Sequence, residues 1–139
     1  MSEEREYRPH GVTTLTPYLA VRGAAKAIDF YKKAFDAREL SRFEGDGGRV
    51  DHATILIGDA TVYLADESDR APSPQALGGT PMVFHMYVPD CDAVYERALA
   101  AGARSIAPVA DQEWGDRYGQ VEDPFGYRWG IATMQAHEH

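Results

Sequence analysis

Apolar residues recur at helical spacing in two stretches of the chain that lie 67 positions apart. In the first stretch, intervals of three and four residues form the stripe of an amphipathic helix. Its members are Ala24, Ala27, Ile28, Tyr31 and Ala34, and the equivalent positions in the second stretch are Cys91, Val94, Tyr95, Ala98 and Ala101. Asp90 is a favourable N-cap for the second helix, and Gly102 follows it as a stop. The pattern predicts two equivalent helices and an internal duplication.

Each predicted helix follows a strand-like stretch, Thr14 to Val21 in the first half and Pro81 to Val88 in the second. Three further strand-like runs follow each helix, at 37–44, 50–57 and 61–65 and then at 104–109, 118–122 and 127–133. Most of these runs are bounded by turn sequences rich in Gly, Asp and Pro. The chain thus predicts an α+β fold of two βαβββ modules in tandem. We place them at about 13–66 and 80–134, joined by a linker at about 66–79.

Composition places the chain among ordinary globular domains. Its 139 residues are 44% hydrophobic and 26% charged, and no apolar run approaches the length of ~20 residues needed to span a bilayer. The net charge of −8 makes nucleic acid an unexpected partner. A single cysteine, Cys91, agrees with a reducing compartment, and the N-terminal residues lack a targeting signal, so we expect a cytoplasmic location.

Several short motifs follow one another in a fixed order between residues 14 and 133. They are TPYLAV leading into AIDFY, then HATILIGD, and finally WGDRYG with DPFG. This order resembles the vicinal oxygen chelate superfamily of glyoxalases, bleomycin-resistance proteins, fosfomycin-resistance proteins and extradiol dioxygenases, and the last two motifs resemble its PhnB-like branch. The resemblance implies one domain over residues 1–139, in which each module forms a curled mixed sheet with one helix and the sheets form a cup.

The resemblance also implies four metal-ligand positions on the floor of the cup. They fall on Thr16, Tyr63, Val83 and Gly130. None of these is a usual donor to a divalent metal, which prefers imidazole, carboxylate or thiolate, so we predict neither a metal nor another cofactor. A displaced metal site built from His52, His85 and Glu122 is the alternative.

Strand alternation predicts a cup lined by aromatic rings with hydroxyls and imidazoles as its polar points. Such a wall suits a flat or partly apolar organic molecule. The expected ligand-binding residues are Tyr18, His52, Tyr63, His85, Tyr87, Trp114, Arg117 and Tyr118. Tyr18 and His85, which are equivalent in the repeat, are expected to face each other across the cup. For Arg117 the alternative is an ion pair with Asp116 or Asp123.

Three functions of different classes agree with these features. The first is a metal-free small-molecule-binding protein of the bleomycin-resistance type that sequesters or recognises an aromatic or partly apolar compound. The second is a lyase, isomerase or dioxygenase-like enzyme that uses His52 and His85 as acid-base groups or as a displaced metal site. The third is a structural or regulatory dimer whose cup is filled by its own side chains. We expect a homodimer, whose modules pair either within one chain or across two.

Overall fold

Two four-stranded sheets, each with one long helix, make up the computed structural model, which describes residues 7–135. The first module consists of β1 (Tyr18–Val21), α1 (Ala24–Phe35), β2 (Arg38–Glu44), β3 (Val50–Ile57) and β4 (Ala60–Asp66). A short helix, α2 (Pro74–Leu77), lies in the linker. The second module consists of β5 (Val83–Tyr87), α3 (Cys91–Ala101), β6 (Arg104–Asp111), β7 (Asp116–Glu122) and β8 (Arg128–Met134). The predicted βαβββ repeat is confirmed.

Both sheets have the same strand order. The first is β1-β4-β3-β2 and the second is β5-β8-β7-β6. In each sheet the first pair of strands is parallel and the other pairs are antiparallel. This order leaves β1 and β5 at sheet edges. It puts β4 and β8 in the interior of the sheets, so their residues have a neighbouring strand on each side.

The two long helices begin in different ways, although they occupy equivalent places in the repeat. Asp90 caps α3 by accepting a hydrogen bond from the Ala93 N–H at 3.1 Å. The equivalent residue before α1 is Gly23, which has a φ of 98° and no side chain to act as a cap. Asp66 at the end of β4 takes over this role, because its Oδ1 accepts hydrogen bonds from the N–H groups of Gly23 and Ala24.

The two modules contact each other on the side of the sheets that carries the helices. The Tyr31 hydroxyl of α1 donates a 2.6 Å hydrogen bond to Asp123 Oδ2 of the second module. The rings of Tyr31 and Phe35 pack against Trp129, with centroids 5.5 and 4.9 Å apart. The Tyr127 hydroxyl donates to the Ala20 carbonyl on β1. The shared core therefore lies between the helices and the sheets of both modules.

Several strand boundaries differ from the sequence prediction, and the linker contains an additional helix. The first strand begins at Tyr18 and not at Thr14, because Pro17 has no N–H to give to a ladder and only its carbonyl bonds to β4. The seventh strand begins at Asp116, two residues early. The linker contains α2, whose N-cap is the buried Ser73. No helix within residues 7–135 is long and apolar enough to cross a membrane.

Candidate functional site

The face of the first sheet opposite α1, called here the first open face, carries three of the predicted ligand-binding residues in mutual contact. The Tyr18 hydroxyl lies 3.0 Å from Nδ1 of His52, within hydrogen-bond distance. The Tyr63 ring contacts both, with centroids 5.8 Å from Tyr18 and 4.9 Å from His52. Period-two alternation puts these side chains on one face, because Leu19, Val62 and their neighbours on the other face are buried against the helix side.

The second open face, opposite α3, carries a larger aromatic cluster. His85 stacks on Tyr118 with ring centroids 5.5 Å apart and planes 14° apart, and it also contacts Tyr87 at 4.9 Å. The Trp114 ring approaches Tyr118 edge-on at 6.4 Å. All four of these predicted residues are therefore brought together on one face.

Gly130 on β8 makes room for this stack. A β-carbon at this position would lie 2.7 Å from the Tyr118 ring and its hydroxyl oxygen, closer than real β-carbons approach other atoms. The Tyr118 ring thus lies directly over Gly130, and a side chain at this position would displace the ring. The Tyr118 hydroxyl in turn accepts a 2.8 Å hydrogen bond from Gln120 Nε2.

Asp116 lies at the base of the second cluster. Its side chain is buried, and its Oδ2 accepts hydrogen bonds from the Tyr87 hydroxyl at 2.9 Å and from Trp114 Nε1 at 3.2 Å. The hydrogen bond to the carboxylate raises the pKa of Tyr87. The Gln112 N–H donates to the Asp116 carbonyl and closes a turn. This turn brings the Trp114 indole over the Asp116 carboxylate.

Arg117 does not lie on the second open face. Its guanidinium pairs with Asp92 on α3 at 2.8 Å and with Asp111 on β6 at 2.9 Å, and these two carboxylates raise its pKa. The sequence-based alternative of an ion pair for Arg117 named the wrong partners. In the described residues Arg117 pairs with neither Asp116 nor Asp123. The physical reason is strand alternation: on β7, Arg117 points toward the helix while Asp116 points to the opposite face.

The four metal-ligand positions implied by the resemblance do not fit a divalent cation. Thr16 precedes β1, and Tyr63 is held in the ring cluster of the first open face. Val83 offers no donor, and the Tyr118 ring lies where a side chain at Gly130 would be. Across residues 7–135 no group of three or more His, Cys, Asp and Glu side chains is placed to hold a metal ion.

The displaced metal site is not assembled either. His52 and His85 lie on different sheets, and each is engaged with aromatic rings of its own module. Glu122 accepts hydrogen bonds from Arg104 at 3.0 Å and from Arg128 at 3.3 Å. The carboxylate is therefore neutralised by two guanidinium groups.

The two open faces are both exposed and do not meet. Tyr18 is 56% exposed and Phe43 63% on the first face, while Tyr87 is 62% and Trp114 66% exposed on the second. Among the described residues no ring contact joins the two clusters, and both are open to solvent in a single chain. Exposed aromatic clusters of this kind mark sites of binding or association.

A cavity of about 620 Å³ lies between the modules. It runs along the free edge of β5, and its walls are mainly apolar. His85 and Tyr87 of the second open face reach its lining, together with Leu19, Phe35, Val62, Phe84, Val94 and Trp129 and the charged residues Asp59 and Arg97. The volume falls within the range of ligand cavities, so this cavity competes with the open faces as a place for a small molecule.

Among the members of the open faces that the sequence did not predict are Phe43 and Asp116. Phe43 on β2 contacts His52 with ring centroids 6.4 Å apart, and Asp116 accepts hydrogen bonds from Tyr87 and Trp114. Strand alternation could have predicted the place of Asp116, because Asp116 lies two positions before Tyr118 and therefore on the same face of the strand. Phe43 required the pairing of β2 with β3, which sets it opposite His52.

Comparisons with known proteins agree with this architecture. The family model described as the glyoxalase/bleomycin resistance protein/dioxygenase superfamily matches residues 11–131. An uncharacterised protein of Mycobacterium tuberculosis is 48% identical over 122 residues, which cover 84% of this chain and 72% of that protein.

Two solved structures extend the comparison. TioX from Micromonospora is 27% identical and superposes with a TM-score of 0.73 over 88% of this chain and 98% of its own. The PhnB protein of Bacillus cereus shares the fold, with 20% identity and a TM-score of 0.68 over 87% of this chain and 99% of its own.

Proposed function

The chain belongs to the glyoxalase/bleomycin resistance protein/dioxygenase superfamily, and from this membership we propose that it binds a small aromatic or partly apolar molecule without a metal ion. The single observation that carries the proposal is the pair of polar-aromatic clusters on the two open faces. The fold itself is shared by proteins of many functions, so the argument rests on the chemistry of these faces.

The second open face has the features of a recognition surface. The stack of His85 on Tyr118 offers flat area. The Tyr87 hydroxyl donates its proton to Asp116, so its oxygen can accept a hydrogen bond from a ligand. Flat rings gain binding energy from contact area and stacking, while hydroxyl and imidazole groups fix the orientation of a ligand. The positions that a metalloenzyme of this fold would use carry no set of metal donors, which supports binding without a metal.

A second copy of the chain would complete the binding cavity. Each open face is exposed in a single chain, and the helix sides of the modules already contact each other through Tyr31, Asp123 and Trp129. Pairing the first open face of one copy with the second open face of another would cover both aromatic clusters. The free edges of β1 and β5 are available for such an association.

Titration calorimetry with naphthylmethanol tests the proposal. We expect saturable binding of about one equivalent per chain, with an affinity that is unchanged when the protein has been treated with EDTA. The Tyr118→Leu variant should bind more weakly because it removes the ring under His85. Tyr7→Leu is the matched control, since Tyr7 is 81% exposed and precedes both sheets.

Two results would contradict the proposal. One is the absence of saturable binding to the untreated protein. The other is binding that EDTA abolishes and that an added transition metal restores, because this would place a metal ion in the site.

A further inference from the structure

We propose that Asp116 is an anionic subsite of the second open face that selects ligands carrying a cationic nitrogen. The inference rests on the proposed function and goes beyond it by naming the chemical class of the ligand: an aromatic molecule with an ammonium, amidinium or protonated heterocyclic group.

Asp116 is buried with an exposed fraction of 6%, which is unusual for a carboxylate that has no cationic partner. Both of its hydrogen bonds, from Tyr87 and Trp114, reach the same oxygen, Oδ2. No hydrogen bond to Oδ1 is formed within residues 7–135. One oxygen of a charged group is thus left to accept a hydrogen bond from a ligand.

No basic side chain in the described part of the chain neutralises this carboxylate. Arg117 is adjacent in sequence but points to the other face, where Asp92 and Asp111 hold it. Arg128 lies beside Glu122 at the far end of β7, six residues from Asp116, a distance of about 20 Å along the strand. The negative charge of Asp116 is therefore balanced only by neutral hydrogen-bond donors.

The rings around Asp116 favour a cation as well. Trp114 and Tyr87 both donate to the carboxylate, and Tyr118 contacts Trp114 at a centroid distance of 6.4 Å. Aromatic faces attract cations electrostatically, and indole does so most strongly. A ligand whose ring lies against the stack of His85 and Tyr118 would place a short cationic arm within reach of Asp116. The carboxylate and the rings together distinguish such a ligand from its neutral analogue.

A matched pair of probes tests the inference. Naphthylmethylammonium and naphthylmethanol share one ring system and differ in whether the polar arm is charged. At neutral pH and physiological salt, which screens the general attraction of the acidic protein, we expect the ammonium probe to bind about tenfold more tightly or better. The affinities are measured by titration calorimetry on the whole chain.

Asp116→Asn should abolish this preference, so that the ratio of the two affinities falls to about one whatever the affinity of the variant for naphthylmethanol. Asp69→Asn, an exposed change of the same net charge in the linker, should leave the preference intact. Tyr87→Phe provides a second variant in case Asp116→Asn fails to fold. It removes one of the two donors to the carboxylate and keeps its charge, so the preference for the ammonium probe should increase. An unchanged or smaller preference in this variant would overturn the inference.

The outcomes separate this inference from the proposed function. If naphthylmethanol binds but the ammonium probe has no advantage in the wild-type protein, the inference is overturned and the proposed function stands. A preference that survives in folded Asp116→Asn also overturns it. If neither probe binds, both proposals are contradicted.

Discussion

The hydroxyl of Tyr31 donates a 2.6 Å hydrogen bond to Oδ2 of Asp123, and this buried pair joins the two modules across 92 positions of sequence. Asp123 also accepts from Trp129 Nε1 and from the N–H groups of Phe125 and Tyr127. Burial raises the pKa of the carboxyl group, while the hydrogen bonds from Tyr31 and Trp129 act in the opposite direction. The relative placement of the modules thus depends on a carboxylate that four donors stabilise.

Tyr31→Phe should therefore destabilise the protein in a way that depends on pH. Because the folded-state pKa of Asp123 is raised, its contribution to stability falls as the pH rises from about 4 through that pKa. Loss of the Tyr31 donor raises the pKa further and enlarges this fall. We expect a loss of about 1.5–3 kcal/mol in the free energy of unfolding at neutral pH and a smaller loss near pH 4, measured by denaturant titration.

The matched control is Tyr127→Phe, which removes a hydroxyl that donates to the neutral Ala20 carbonyl. Tyr127→Phe should lower the free energy of unfolding by about 1 kcal/mol, and this loss should be nearly the same at neutral pH and near pH 4. An equal penalty for Tyr31→Phe at both pH values would show that the hydrogen bond does not stabilise a charged Asp123.

Gly119→Ala should destabilise the protein more than Gly130→Ala. A β-carbon at Gly119 would lie 2.7 Å from Val109 Cγ2 and 3.2 Å from the Val109 backbone, which cannot easily move. At Gly130 the three nearest atoms all belong to the Tyr118 side chain, whose ring can shift. We expect Gly119→Ala to lower the free energy of unfolding by about 1–3 kcal/mol and Gly130→Ala to lower it less, both measured by thermal unfolding.

Displacement of the Tyr118 ring gives Gly130→Ala a second effect. Its affinity for naphthylmethanol should fall although the fold is kept, because the stack with His85 is disturbed. Equal destabilisation by the two changes, with unaltered binding in Gly130→Ala, would disagree with the described packing of Tyr118.

His85→Phe should keep the fold and weaken the binding of naphthylmethanol by about tenfold, the effect of losing one hydrogen bond of ~1.4 kcal/mol. Phe preserves the ring that stacks on Tyr118 but lacks the nitrogen atoms that can bond to the probe hydroxyl. His10→Phe is the control, since His10 is exposed and precedes β1. Unchanged affinity for naphthylmethanol in folded His85→Phe would show that His85 makes no hydrogen bond to the probe.

Light scattering at micromolar concentration should give about twice the chain mass of 15.4 kDa. If the cavity forms across two copies, mixing a His52→Ala chain with a His85→Ala chain should restore strong binding in part of the sample. Such mixed dimers would contain one cavity with both histidines intact. A monomeric mass at all concentrations, or no recovery after the variants have exchanged subunits, would rule out this assembly.

The repeat and its strands could be predicted from the sequence because their signals are local and periodic. The stripe from Ala24 to Ala34 has the period of a helix. Alternation separates buried from open-face residues in β3, and half-buried from exposed residues in β5. The equivalent stripe from Cys91 to Ala101 has the same spacing, so the amino-acid pattern is sufficient to predict the duplication.

The relation between the modules could not be predicted in this way. The contact of Tyr31 with Asp123 joins distant residues that no periodic pattern links. The partners of Arg117 were missed for a similar reason, since Asp92 lies on α3 and becomes a neighbour only when that helix covers β7. The first strand is short because Pro17 interrupts the ladder, although the strand-like residues Thr14, Leu15 and Thr16 precede it.

A crystal structure of the complex with naphthylmethanol tests the central claim most directly. We predict that the naphthyl ring lies between Tyr18 and His52 of one chain and Tyr118 of the partner subunit, with no metal ion in contact with it. A ring bound instead in the cavity of about 620 Å³ between the modules of one chain, or a hydroxyl coordinated to a metal, would contradict the account.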